Sequence, residues 1–489
     1  MTTPQLSSQV TLVRGLTLLA AASIIIGNVI GTGVFLKARV MTCNVGTPGM
    51  VVTVWVVAGL LSLAGALTYA ELAAMMPRAG GEYVFVREAY GPGTGFLYGW
   101  MQIFIAKTGS QASVAVAFAI FLNGLVGGTL GQPFYTLTLL GRQFDFGPQQ
   151  LIALGLIALL TLVNCAAVVV SGWVATALTA VKIALVLGIG LGAFFLADGS
   201  FANFALENAG GACEKVDASA VLGVAGFAAA MLGALWGYDG WNNLTLVAGE
   251  VKNPQRNVPL ALIGGTLVII ALYVFVNVAY FYALTPTEVA SVPASSSVAA
   301  RVTESFMSSY GEAAYRTVAG LIAAALMASS VGTLHTSILT GARVPYAMAR
   351  DGLFFQNLAR LSARTRVPVG ALIVQGVWAS ILALSGSFDT LTDYVIFGSW
   401  IFYGLVTASI FIFRRRMPHA ERPYRALGYP VVPALFLLVT GFLLVMTLIT
   451  SPLQAVTGLV LIGIGFPVYY FFFRHRRVAS EDAYSTDDI

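Results

Sequence analysis

Long apolar runs alternate with short polar or glycine- and proline-rich breaks along nearly the whole chain. A helix needs about 20 mostly apolar residues to cross the hydrocarbon core of a bilayer. About twelve runs reach that length, near residues 14–36, 48–75, 95–123, 149–170, 173–197, 219–249, 258–284, 313–341, 367–386, 390–413, 430–450 and 453–473. The pattern predicts an all-α integral membrane protein with twelve transmembrane helices.

The composition supports a chain embedded in lipid. Of the 489 residues, 58% are hydrophobic and only 10% are charged, and the mean hydropathy is +0.84. Soluble domains usually carry about a quarter of their residues as charged side chains. The composition therefore excludes an ordinary soluble protein.

The basic residues are unevenly distributed, and this bears on both orientation and partners. The net charge is +5 and the isoelectric point is near 9.0. With the N-terminus in the cytoplasm, eighteen of the 26 lysine and arginine residues fall in predicted cytoplasmic segments, as the positive-inside rule requires. We therefore predict a multi-pass protein of the plasma (cell inner) membrane, in contact with lipid, with both termini cytoplasmic. The basic balance needs no nucleic-acid partner.

The sequence offers no reactive or metal-binding cluster. Its three cysteines are too few for a tetrahedral zinc site, the three histidines lie far apart, and there is no H-E-x-x-H motif. We predict that the protein is not an enzyme and that it binds no metal and no cofactor. Cys165 lies in a predicted span, whereas Cys43 and Cys213 both fall on the predicted outer side, where a disulfide and two unpaired thiols are the alternatives.

Two of the apolar runs contain residues that interrupt helices. Residues 27–36 read "GNVIGTGVFL" and residues 234–243 read "ALWGYDGWNN", with a carboxylate at Asp239. A charged residue at mid-membrane costs at least ~2.5 kcal/mol, and glycine is about 1 kcal/mol worse than alanine in a helix. Such breaks in corresponding helices of two halves indicate an inverted-repeat transporter with discontinuous helices 1 and 6.

This organisation predicts the division of the chain. The predicted segments are a cytoplasmic N-terminus at 1–13, a first five-helix repeat at 14–197, a second, inverted five-helix repeat at 219–413, helices 11 and 12 at 430–473 and a cytoplasmic tail at 474–489.

The breaks also predict a class of ligand. The amides of Thr32 and Gly33 would begin a half-helix, where free N–H groups and the helix dipole attract an anion. Carbonyls at the ends of the preceding half-helices would attract a cation; these belong to Val29, Ile30, Trp236, Gly237 and Asp239. An α-amino acid carries both groups. The alternative is that the glycines serve only close helix packing.

Five stretches resemble the amino acid/polyamine/organocation superfamily, and within it the L-type amino acid transporter family in a prokaryotic form. They read "IIGNVIGTGVF" (25–35), "GALTYAELAAMMPRAGGEYVFVREAYG" (65–91), "GYDGWNNLTLVAGEVKNPQRNVPLAL" (237–262), "ARVPYAMARDG" (342–352) and "ERPYRALGYPVVP" (421–433). The resemblance implies a LeuT-type fold, a 5+5 inverted repeat, that moves L-amino acids by alternating access.

The resemblance also implies roles for individual residues. Thr32 and Gly33 match the family's carboxylate-binding pair, and Trp236 matches the aromatic that closes over the substrate from outside. The carbonyls of Val29, Trp236, Gly237 and Asp239 match those that bind the amino group. Asn242, Ser110 and Trp400 match positions in or beside the pocket.

Four charged residues complete the expectations. Lys182 matches a lysine that stands where sodium-coupled relatives bind sodium, so transport without sodium is implied; proton coupling through Lys182 is the alternative. For Lys107, snorkelling or a structural ion pair is expected. Glu71 and Glu250 would either close an inner gate with Arg78, Lys252 or Arg256, or form solvated helix ends.

We therefore expect a sodium-independent exchanger of neutral L-amino acids. A proton-coupled symporter and an exchanger that accepts cationic amino acids through Asp239 are the alternatives. Relatives that pair with a single-span glycoprotein carry a cysteine between spans 3 and 4, whereas residues 123–149 contain none. No covalent accessory subunit is expected.

Overall fold

The computed structural model describes residues 12–139, 142–166, 168–214, 216, 221–293, 296–307, 310–385, 388–450 and 452–474. Most of the predicted N-terminal segment 1–13 and of the predicted tail 474–489 lies outside these residues.

Helices make up most of the described chain. The first half contains α1 (Leu18–Val29), α2 (Gly33–Val45), α3 (Pro48–Met75), α4 (Glu82–Tyr90), α5 (Pro92–Met101), α6 (Lys107–Leu125), α7 (Pro148–Asn164) and α8 (Val168–Leu196). The second half contains α9 (Gly223–Tyr238), α10 (Pro254–Ala283), α11 (Pro286–Ala290), α12 (Val298–Met307), α13 (Glu312–Gly341), α14 (Arg343–Arg350), α15 (Val369–Ser385), α16 (Phe388–Arg416), α17 (Val431–Thr450) and α18 (Pro452–Val468). A π-helical turn at Gln102–Ala106 joins α5 to α6, and one at Tyr469–Phe473 follows α18. Short 3₁₀ helices lie at Phe201–Ala205, Asn243–Glu250 and Gln356–Ala359.

Each of the twelve predicted runs contains helix. Within the described residues, nine helical stretches are long and apolar enough to cross a membrane, and α7 and α15 are shorter apolar helices. Large apolar side chains lie exposed on the surface, for example Leu162, Trp173 and Leu438, each more than two-thirds accessible. Such a surface suits contact with lipid. The multi-pass helical class is thus confirmed, while the number of twelve crossings stays a prediction.

One element departs from the expectation of an all-α chain. Between α6 and α7, strands β1 (Tyr135–Leu139) and β2 (Arg142–Phe146) pair antiparallel, with Tyr135 opposite Phe146. Both segments place a β-branched or aromatic residue at alternate positions, a pattern typical of strands. The expectation considered only runs long enough to span a bilayer, so it missed this hairpin.

Both predicted helix breaks are present. The helix α1 ends at Val29 and α2 begins at Gly33. The second break follows Tyr238, where α9 ends, and the chain continues as the 3₁₀ helix Asn243–Glu250. Glycine permits the turn at position 240, where φ is +103°.

The packing brings the two breaks together. The helix α1 packs against α8, α10 and α13, while α2 packs against α9. A β-carbon at Gly33 would lie only 2.7 Å from the Cα atom of Gly237, so the two breaks touch backbone to backbone. A β-carbon at Gly240 would lie 2.0 Å from the side-chain nitrogen of Asn28. Small residues are therefore required at this crossing.

A disulfide joins Cys43, near the end of α2, to Cys213 in the segment before α9, with their Cα atoms 5.7 Å apart. Of the two alternatives left open by the sequence, the bond is the one observed. Cys165 is a free cysteine.

Candidate functional site

A cavity of about 360 Å³, part of it open to solvent, lies where the two breaks meet. Its wall is formed by Asn28, Val29, Gly31, Thr32, Gly33, Ser110, Trp236, Asp239 and Thr333. Six residues singled out in the sequence therefore share one cavity: Val29, Thr32, Gly33, Ser110, Trp236 and Asp239.

One side of the cavity is the start of α2. This helix is 13 residues long and begins at Gly33. The first N–H groups of a helix have no acceptor within the helix, and the helix dipole adds partial positive charge at that end. The cavity wall at Thr32 and Gly33 is thus suited to an anionic group such as a carboxylate.

The carbonyl groups of the breaks already have partners inside the protein. The Tyr273 hydroxyl from α10 lies 2.8 Å from the Val29 carbonyl oxygen and 2.9 Å from that of Gly237. The carbonyl of Trp236 accepts the Asp239 amide at 3.1 Å. Tyr273 was missed in the sequence, because nothing in its apolar run distinguishes it from a packing residue.

Lys182, on α8, is fully buried and binds the first break. Its ammonium donates to the carbonyls of Gly27 at 2.5 Å and Ile30 at 2.7 Å, and to the Thr333 hydroxyl at 2.7 Å. Three acceptors for three N–H bonds are what a charged ammonium needs in a buried place. Ile30 was expected to offer its carbonyl to a ligand; that carbonyl accepts from Lys182, and its binding of a ligand stays a prediction.

Asp239 lies in the cavity wall and is partly exposed there. The Tyr403 hydroxyl from α16 donates to its carboxylate at 2.7 Å. Behind it, the Asn242 side-chain amide donates to the carboxylate of Glu82, which is fully buried. Asn242 therefore lies next to Glu82, and it is not among the described residues that line the cavity.

Lys107 is held inside the protein. It is 9% exposed, and its ammonium donates to the side-chain oxygen of Asn243. Of the two expectations for Lys107, the structural interaction is the one observed, because polar side chains next to the second break provide its acceptor. Glu82 was not singled out in the sequence; its position in "GGEY", next to a pair of glycines, was the available signal.

The two tryptophans have different surroundings. Trp236 lies in the cavity wall and is 8% exposed. Trp400 is buried and packs against Tyr403 and Phe436, with ring centroids 5.8 Å from each. Within the described residues, Trp400 is not part of the cavity wall. Its ring packs between α16 and α17, and a role for it in the pocket stays a prediction.

Glu71 and Glu250 form ion pairs, but with other partners than expected. Arg343 on α14 donates twice to the Glu250 carboxylate, at 2.7 and 2.8 Å, and both side chains are fully buried. Arg414 donates twice to Glu71, at 3.0 and 2.6 Å, and Arg422 lies 3.3 Å away. The expected partners were close in sequence, whereas the observed ones come from segments about 90 to 350 residues further along, which no local pattern reveals.

Comparison with known proteins places this geometry in context. The family model of amino acid permeases matches residues 16–473. The chain is similar to the b(0,+)-type amino acid transporter 1 of Homo sapiens, with 30% identity over 470 residues, which is 95% of this chain and 88% of that protein. It is also similar to the large neutral amino acids transporter small subunit 2 of Homo sapiens, with 30% identity over 474 residues, covering 96% and 82% of the two chains.

Proposed function

Because the chain belongs to the amino acid permease family, we propose that it exchanges neutral L-amino acids across the plasma membrane by alternating access, without sodium. That it is a multi-pass transporter of amino acids, and not an enzyme, follows from the family itself. The observation that carries the proposal is the cavity between the two helix breaks, with a helix N-terminus on one side and Asp239 on the other.

In this proposal the substrate carboxylate binds the amides of Thr32 and Gly33, and its ammonium binds carbonyls at the breaks. Val29 and Asp239 offer such groups from the cavity wall. Trp236 closes the outer side of the substrate, and Ser110 contributes a hydroxyl. An α-amino acid is the small molecule whose two charges match both sides of the cavity.

Lys182 supports transport without sodium. Its ammonium is surrounded by two carbonyls and a hydroxyl, oxygen ligands that would otherwise suit a small cation. A covalently attached cation then holds the first break in place of an ion from solution. Because all three N–H bonds have acceptors, the geometry favours a permanently charged lysine over one that releases its proton in each cycle, as the symporter alternative requires.

The proposed architecture is a 5+5 inverted repeat of the LeuT type with twelve spans, the repeats being 14–197 and 219–413 and the two further helices 430–473. Its support is that both breaks occur in the first helix of a proposed repeat and meet at one cavity. In most transporters of this design the substrate lies at such a meeting point.

The proposed orientation has both termini in the cytoplasm. The disulfide between Cys43 and Cys213 supports it, because both lie on the proposed outer side, and disulfides persist in oxidising compartments. We also propose that no covalent accessory subunit is attached. Both outer cysteines are bonded to each other, and residues 123–149 contain no cysteine.

The ion pairs of Glu250 and Glu71 are proposed to close the cytoplasmic side. Opening toward the cytoplasm would then have to separate buried charges, which is costly unless water enters with the movement. Asp239 supports acceptance of cationic amino acids as a second candidate, because its carboxylate is at the cavity wall.

The test is exchange by the purified protein in liposomes without sodium. Uptake of a labelled neutral amino acid is expected only into vesicles that contain unlabelled amino acid. Lys182→Ala should lower exchange at least tenfold, since hydrogen bonds to a charged group contribute about 1.5–3 kcal/mol each. Lys252→Ala, at an exposed lysine, is the matched control and should exchange normally. Uptake that needs sodium, or that follows a proton gradient into vesicles without internal amino acid, would contradict the proposal.

A further inference from the structure

The polar cluster behind the cavity contains an unequal number of positive and negative groups. Glu82 and Asp239 each carry a carboxyl group, and both interact electrostatically with the single ammonium of Lys107. Glu82 is fully buried and Lys107 is 9% exposed. When both carboxyl groups are ionised, the three side chains have one negative charge in excess.

Hydrogen bonds connect this cluster to the cavity. The Asn242 amide donates to Glu82, which also accepts from the Tyr98 hydroxyl at 3.1 Å. The Tyr403 hydroxyl lies 2.7 Å from Asp239 and 3.5 Å from the side-chain oxygen of Asn242. The side chains of Asn242 and Tyr403 thus link Glu82 to Asp239, which borders the cavity.

The other titratable groups that face Glu82 do not supply the missing charge. Those that interact with it come from α3, α5 and α16 and are Tyr69, Tyr98 and Tyr403. Tyrosine hydroxyls titrate near pH 10 and are neutral at physiological pH. Lys107 and Asp239 are therefore the charged partners of Glu82 among the described residues.

An excess negative charge in a buried cluster is costly, so the protein is expected to bind a positive charge there. Burial raises the pKa of the Glu82 carboxyl to about 7, against the opposing effect of the Lys107 ammonium. Since this pKa is raised, the protonated form dominates below pH 7 and is lost as the pH rises through that value. Because the two carboxyl groups interact, the proton is best assigned to the pair.

We propose that the Glu82–Asp239–Lys107 cluster requires one additional positive charge in every loaded transport step. With a neutral amino acid this charge is a proton on the carboxyl pair, taken up on the side of loading and released on the side of unloading. With a cationic amino acid it is the ammonium or guanidinium of the substrate side chain, and no proton is carried. The inference rests on the proposed exchange function and assigns it a charge requirement.

The test is exchange of external leucine for internal lysine in liposomes that contain a pH-sensitive dye. Each leucine should enter with one proton as each lysine leaves, so the lumen should acidify without a membrane potential. Exchange of leucine for leucine should move no net proton. If leucine exchanges for leucine, but leucine-for-lysine exchange makes the lumen electrically negative and moves no proton, the charge requirement is overturned while the exchange function stands. If no amino acid exchanges, both fail.

The same requirement predicts opposite pH profiles for the two substrates. Leucine exchange should fall several-fold between about pH 6.5 and pH 8.5 as the carboxyl pair loses its proton, whereas lysine exchange should be constant or rise. In Glu82→Gln, leucine exchange should lose this pH dependence and the KM for lysine should rise at least tenfold. Glu88→Gln is the matched control, since Glu88 lies on the same helix and pairs with Arg87. Identical pH profiles for both substrates in the wild-type protein would overturn the inference, whether or not Glu82→Gln folds.

Discussion

At the scale of single residues, the crossing of the two helix breaks depends on the absence of side chains. A β-carbon at Gly33 would meet backbone atoms of Gly237, at 2.7 Å from its Cα and 3.3 Å from its nitrogen. One at Gly237 would meet the Trp55 ring at 2.7 Å. Backbone atoms cannot move aside without moving a whole segment, so a side chain here would push the two breaks apart.

Gly33→Val should therefore abolish substrate binding while the protein still folds. The valine would displace the amides that are proposed to hold the substrate carboxylate. Gly264→Ala is the matched control, since open space surrounds that position, and it should bind normally. Binding of labelled amino acid to detergent-purified protein, together with size-exclusion profiles, checks this; normal affinity of Gly33→Val would remove the first break from the site.

Some residues of the site could be predicted from sequence and others could not. Thr32, Gly33, Asp239 and Lys182 are conspicuous because each is costly inside a membrane helix, and a cost without a function would be hard to explain. Tyr273 and Thr333 cost little in a helix, and their importance comes from segments far away in sequence. The contacts of Ile30 with Lys182 and of Trp400 with Phe436 could not be predicted for the same reason.

At the scale of elements, α14 and the 3₁₀ helix that follows the second break are joined by a charge pair. Arg343 also donates to the carbonyl of Leu339 at 2.8 Å, so its guanidinium is bonded on several sides. A buried pair adds little net stability compared with apolar side chains of the same size, but removing one partner leaves a buried charge without compensation.

Arg343→Met should lower the stability of the protein by roughly 3–5 kcal/mol, because the Glu250 carboxylate would remain buried without its partner. The double variant Arg343→Met with Glu250→Met should recover much of this loss. Arg301→Met removes an exposed pair with Glu304 and should change stability by no more than about 1 kcal/mol.

Thermal unfolding of the detergent-solubilised variants measures these differences. Equal unfolding temperatures for Arg343→Met and Arg301→Met would show that the Glu250 pair does not stabilise the protein.

An element could be predicted when its signal lies in its own stretch of sequence, and not when the element depends on contacts with other segments. The composition of about 20 consecutive residues indicates a membrane helix, and each predicted run does contain helix. The β1–β2 hairpin depends on pairing between two short segments, and the partners of Glu71 and Glu250 depend on how distant helices pack. Such information appears only once the tertiary structure is known.

At the scale of the whole molecule, the proposed orientation depends on the positions of the basic residues and of two cysteines. Three basic residues, Arg414, Arg415 and Arg416, lie in the last turn of α16, at the end assigned to the cytoplasm. Cys43 and Cys213 lie on the side assigned to the exterior. The bond, between residues 170 positions apart, ties the first proposed repeat to the segment that connects it to the second.

Counting the free thiols tests whether the disulfide is formed. Protein denatured without reductant should react with one maleimide per chain, at Cys165, and with three after reduction, since three cysteines are present. Mass spectrometry of the labelled chain gives this number, and Cys165→Ala should give none without reductant. Three labels on protein denatured without reductant would show that the bond is absent from the membrane-inserted protein.

The Tyr273 hydroxyl has one hydrogen but two carbonyl oxygens within reach, at 2.8 and 2.9 Å. It can donate fully to only one of them at a time, and turning from one to the other needs only a rotation about its C–O bond. When an ammonium approaches the Val29 carbonyl, the hydroxyl can donate to the Gly237 carbonyl. When the ammonium approaches the Gly237 carbonyl, the hydroxyl can donate to that of Val29. The acceptors around the cavity can thus be redistributed by moving one hydrogen atom, while the backbone of both broken helices stays in place.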